Sequence, residues 1–74
     1  MRKKELCFLL TFSTTTEAMA VECLGLPGRL IPVPTAIHAS CGMCWKSPIA
    51  AKSQILAAME EAQLPYEGQF ELVI

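Results

Sequence analysis

At 74 residues the chain is long enough for one domain and too short for two. Six Lys and Arg against seven Asp and Glu give a net charge of −1, which excludes the basic footprint of a nucleic-acid-binding module. Apolar residues reach 53% and charged residues only 18%, yet no stretch approaches the roughly 18 apolar residues of a membrane span. So small a domain buries only about 60% of its unfolded surface. The apolar excess therefore points to an efficient core or to a surface covered by a partner, a second copy of the chain included.

The N-terminus imitates a secretory signal. Arg2, Lys3 and Lys4 precede the apolar run Leu6-Cys7-Phe8-Leu9-Leu10, and Ala18-Met19-Ala20 resembles a cleavage site. Against secretion, Glu5 separates the basic and apolar parts, the uninterrupted run falls short of the usual ~7–15 residues, and Glu17 lies just before the supposed cleavage point. A cytoplasmic address is expected. There, four cysteines read as free thiols, metal ligands or redox groups more than as a disulfide framework.

The first element runs from Leu6 to Phe12, an apolar run dense enough for a central strand buried on both faces. Thr14 and Glu17 have capping-box spacing and open a helix. Its expected core pairs are Met19 with Cys23 and Ala20 with Leu24, and Gly25 ends it. Arg29 to Pro34 is extended, and prolines at 32 and 34 make it an edge strand. A loop over 35–42 leads to a short strand, Met43 to Lys46. Ser47-Pro48 then has the N-cap and first-turn pattern of a second helix, with Ile55, Leu56, Met59 and Ala62 as its core stripe. Pro65 ends that helix, and Tyr66 to Ile74 forms a last strand in which Phe70, Leu72 and Ile74 alternate with polar or smaller neighbours.

The order β-α-β-β-α-β predicts an α+β, ferredoxin-like domain over residues 1–74: a four-stranded antiparallel sheet with two helices on one face. Cys7 and Cys23, inside a strand pattern and a helix pattern, are expected to be small buried hydrophobes. Trp45 is expected in the core.

Chemistry is expected at Ser40-Cys41-Gly42-Met43-Cys44, on an exposed strand connection. Cys41-x-x-Cys44 brings two thiols within reach of each other, and Gly42 would allow a left-handed turn whose N–H groups face the sulfur. Arg29 or Lys46 would add positive charge if the fold brought either near. His38, Cys41 and Cys44 also form an H-x-x-C-x-x-C array, an alternative site for zinc or an iron–sulfur cluster that falls one ligand short of the usual four. No Ser-His-Asp arrangement, P-loop or dinucleotide glycine motif occurs.

The chain also resembles the small bacterial selenium/sulfur (Se/S) carrier protein-like family, a domain of unknown function. Thr11-Phe12 followed by a polar turn and Ala18 to Glu22 is similar to the family's opening strand and helix. Arg29-Leu30-Ile31-Pro32-Val33-Pro34 resembles its Arg-Leu-Ile-Pro-x-Pro stretch, Ser40-Cys41-Gly42 its Ser-Cys-Gly, and Tyr66-Glu67-Gly68 its ending. The resemblance implies a non-enzymatic carrier that holds sulfur or selenium on Cys41 without a cofactor. It would be loaded by a donor of the cysteine desulfurase or selenocysteine lyase kind and would discharge to an acceptor enzyme. Ser40 would hydrogen-bond the sulfur, and Cys44 would serve as a resolving thiol. A thiol–disulfide redox role is the further alternative. The second cysteine, Cys44, and His38 depart from the family pattern.

Overall fold

The computed structural model describes residues 4–74; Arg2 and Lys3 of the basic N-terminal run lie outside them. Strand β1 (Leu6–Thr11) leads into helix α1 (Thr15–Glu22), followed by β2 (Arg29–Pro32) and β3 (Met43–Pro48). A 3-10 turn (Ile49–Ala51), helix α2 (Lys52–Glu61) and strand β4 (Gly68–Val73) complete the chain. The sheet order is β2-β3-β1-β4 and every pairing is antiparallel, the expected ferredoxin-like arrangement. Among the described residues no helix is long and apolar enough to cross a membrane.

An interior position in the sheet, between β3 and β4, explains the uninterrupted apolar run of β1. Phe8, Leu10 and, just beyond the strand, Phe12 point to one face, where they form one buried cluster with Ala18 and Val21 of α1, Trp45 of β3, and Ile55 and Met59 of α2. Both helices therefore cover the same face. Cys7, Leu9 and Thr11 alternate to the other face, against Cys44, Phe70 and Leu72 of the flanking strands. Phe8, Leu9, Leu10 and Phe12 are all fully buried, and each contributes on the order of 1.5–3 kcal/mol from removal of apolar surface from water.

The caps fall partly as expected. The Thr14 side chain accepts from the Glu17 N–H at 3.2 Å, while the Glu17 carboxylate accepts from the Ser13 N–H at 3.0 Å, one residue earlier than a reciprocal box requires. Gly25 follows the helix at φ +68°. The buried stripe of α1 is Ala18 and Val21; Met19 is 50% exposed, and Cys23 and Leu24 are exposed too. Of the expected core pairs, Met19, Cys23 and Leu24 face solvent and only Ala20 is half-buried. The small Ala18 and the branched Val21 let this eight-residue helix lie close to the sheet, where Met19 would hold it off.

The start of α2 also differs. Ser47 and Pro48 continue β3, paired with Phe8 and Cys7 of β1, and Ser47 is buried with its hydroxyl donating to the Pro48 carbonyl. Sheet pairing along the whole of β1 outweighs the local capping preference. Proline at the strand's last position removes a donor where the ladder ends. Helix α2 instead starts from the 3-10 turn without a side-chain cap.

Candidate functional site

The connection between β2 and β3 folds back over the end of β1 and is pinned there at several points. Val33 N–H donates to the Gly42 carbonyl at 3.1 Å, which continues the β2–β3 pairing past Pro32. Ile37 N–H closes a turn onto the Pro34 carbonyl. Cys41 N–H donates to the Phe12 carbonyl at 3.1 Å, so the cysteine is held where β1 gives way to α1. Ser40 donates twice to Glu67 across 27 residues of sequence, from N–H at 2.9 Å and from Oγ at 2.6 Å.

Cys41 is therefore not the exposed loop residue expected from the sequence. It is 5% exposed and belongs to the helix-side core cluster. Its sulfur lies 3.6 Å from the hydroxyl of Thr15, the first residue of α1. With a thiol present, either group can donate; toward a thiolate, the hydroxyl is the only donor of the two. The Ser40 hydroxyl, expected at the sulfur, is turned to Glu67 instead. Gly42 is not in the left-handed region, and a Cβ there would meet nothing within 4 Å. The open glycine turn expected around the sulfur is absent.

Cys44 lies on the opposite side of the sheet. It pairs with Thr11 of β1 and Ile31 of β2, while its neighbours Met43 and Trp45 pack into the cluster that contains Cys41. It is fully buried. Burial, and then the charge of nearby Cys41, push its thiol up from 9.0 to about 11. Cys44 is thus a protonated thiol at neutral pH, directed away from the cluster that receives Cys41.

The remaining candidates separate. His38 is exposed and shares a shallow cleft of about 350 Å³ with Ala39, Ser40 and Glu67, not with the two thiols. Among the described residues no three His, Cys, Asp or Glu side chains come together as a metal site. Arg29 and Lys46 face each other at the far end of the β2–β3 pairing from Pro32 and Met43, remote from the Cys41 loop. A cavity of about 460 Å³ between Cys7, Arg29, Lys46 and Pro48 lies at that same far end. Cys7 is buried as expected, and all four cysteines are free. Glu67, fully exposed, is held below the usual carboxylate range by its two bonds from Ser40.

Thr15 was missed as a site residue by sequence reasoning. It stands 26 positions from Cys41 and reads locally as the start of a capped helix. The signal for Glu67 was its place in the Tyr-Glu-Gly ending.

Fold and site together define a small ferredoxin-like α+β domain that holds one cysteine, at the junction of a strand and a helix, in a loop clamped from both sides. Residues 7–71 match the sequence model of the family described as "Putative Se/S carrier protein-like". With nearly the whole chain matched, the protein belongs to that family. No curated protein and no solved structure matches it.

Proposed function

We propose that the protein carries a sulfur or selenium atom on Cys41, as a persulfide or a selenosulfide, between a donor and an acceptor enzyme. The observation that carries this reading is the Cys41 sulfur in a family of carrier-like proteins, fixed by backbone to the end of β1 and facing one hydroxyl, Thr15. In loading, the Cys41 thiolate attacks the outer sulfur of a donor persulfide. The S–S bond of the donor breaks, its thiolate leaves with the electron pair, and the proton lost by Cys41 ends on that thiolate. Discharge reverses the roles: an acceptor nucleophile takes the outer atom and the Cys41 thiolate leaves. Thr15 donates to the sulfur whenever it is anionic, at the start of loading and at the end of discharge.

Burial of Cys41 suits the cargo. A persulfide kept out of solvent is protected from stray thiols, and transfer waits for a partner to open the loop. Cys44 takes no part in this scheme, because it is protonated and directed to the other face. A donor of the cysteine desulfurase or selenocysteine lyase kind matches the chemistry, and the reading implies the cytoplasm, where thiols stay reduced.

Intact mass tests the proposal directly. Incubation with a cysteine desulfurase and cysteine, or with a selenocysteine lyase and selenocysteine, should add one sulfur or one selenium atom. Cys41→Ser should abolish the gain and Cys44→Ser should keep it. If wild type gains no mass with either donor, the carrier reading is wrong. Stoichiometric zinc in the purified protein would instead point to the metal alternative, and a Cys41–Cys44 disulfide formed reversibly would point to the redox one.

A further inference from the structure

A thiol that is 5% exposed cannot be reached by a donor persulfide until the loop around it moves. The contacts that hold it are of two kinds. Those of Cys41 itself are inside: its N–H on the Phe12 carbonyl, its sulfur on Thr15, and its place in the core cluster. The contact of the preceding residue is outside. Ser40 gives both N–H and Oγ–H to the two oxygens of one exposed carboxylate, Glu67. Glu67 is in turn anchored, its own N–H on the Thr11 carbonyl at 2.6 Å. Successive residues at the end of β1, Thr11 and Phe12, thus each hold one segment, and the Ser40–Glu67 pair closes a ring of contacts that runs through the cysteine backbone.

The carboxylate has no competing cation: among the described residues the one salt bridge joins Lys52 to Glu71. His38 lines the same cleft as Glu67 without an ion pair between them. Solvent-exposed hydrogen bonds open at lower free energy than buried ones, so this is the contact that yields first.

We propose that Glu67 is a positioning residue acting through Ser40, a clasp that keeps the Cys41 sulfur seated against Thr15 when closed and exposes it to a partner when open. The proposal gives the carrier reading its gate, and its geometry is testable without any donor.

The test follows alkylation of each cysteine by iodoacetamide at neutral pH, resolved by peptide mass spectrometry, in the full chain. A second readout is the Ser40 amide resonance as a function of pH. In wild type that resonance should follow a titration below the ordinary carboxylate range, and Glu67→Gln should remove it. Alkylation of Cys41 should rise roughly five-fold in Glu67→Gln and Glu67→Ala, the upper end of what an exposed charged contact contributes. Cys44 should keep its rate, and Ser40→Thr, which retains the hydroxyl, should stay near wild type.

An unchanged Cys41 rate in Glu67→Gln would overturn the clasp. So would parallel acceleration of Cys41 and Cys44, the mark of general loosening. Should the variants not fold, wild type decides the matter with an aromatic disulfide reagent that works in acid: the Cys41 rate, taken relative to that of exposed Cys23 to correct for the falling thiolate fraction and for reagent protonation, must rise as Glu67 protonates. Failure of sulfur loading with a donor would refute the carrier reading and leave these outcomes unaffected.

Discussion

Replacement of Cys44 by alanine separates the two cysteines by a pH measurement. The folded protein holds this thiol at about 11 against an ordinary 9.0, which lowers its thiolate fraction about a hundred-fold at neutral pH. Because the folded value is the higher, the associated stability is fully present below pH 9 and is lost as pH rises toward 11: the unfolded chain releases the proton first. The full difference corresponds to an upper bound of about 3 kcal/mol, of which about 2 kcal/mol is lost by about pH 10.5. At neutral pH, Cys44→Ala removes one buried sulfur and should cost about 1–2 kcal/mol in cavity and contacts.

Urea unfolding of wild type and variant at neutral pH and at about pH 10.5 gives both quantities. Every ionisable group except Cys44 is present in both proteins, so the difference isolates Cys44 together with its coupling to Cys41. The gap between the two proteins should therefore shrink, or reverse, by up to about 2 kcal/mol in base. A gap that stays constant with pH would refute the burial argument. Sulfur loading that fell together with Cys44→Ala would refute the assignment of carriage to Cys41 alone.

Thr15→Val keeps the shape beside Cys41 and removes the hydroxyl; loading by a donor, followed by intact mass, should slow roughly ten-fold, as expected for loss of a hydrogen bond to a charged sulfur. Gly28→Ala should cost at least about 2–3 kcal/mol in urea unfolding, because Gly28 sits at φ +111° and a Cβ there would run into the Lys46 carbonyl and lie 2.8 Å from the Trp45 indole nitrogen. Trp45→Phe leaves the Pro27 carbonyl without the indole N–H it now accepts at 2.9 Å, and calorimetry should show a loss of about 1–3 kcal/mol. Thr14→Ala removes the cap of α1 and should cost about 1 kcal/mol by the same method.

The strand and helix order was legible in the sequence because it rests on local signals. An unbroken apolar run fits an interior strand in so small a sheet, and Thr14 with Glu17 is a local helix start that no strand pairing opposes. Alternation along β4 likewise announced a half-covered strand. From that order the antiparallel ferredoxin-like sheet follows, since few other topologies accommodate it.

What faces what was a different matter. Helical periodicity allows several rotations of α1 about its axis, and packing against the sheet chose the one that buries Ala18 and Val21 and exposes Met19 and Cys23. Ser47-Pro48 carries a valid local capping signal, and pairing with β1 overrode it. Cys41 was singled out by its spacing to Cys44, yet strand alternation sent the pair apart, one thiol to the helix-side core and one to the far face. Chain spacing thus singled out the cysteine to which the carrier proposal is attached. Its burial, its Thr15 neighbour and the Ser40–Glu67 contact depend on segments 26 and 27 residues apart, and only the closing of the chain onto the end of β1 brings those together.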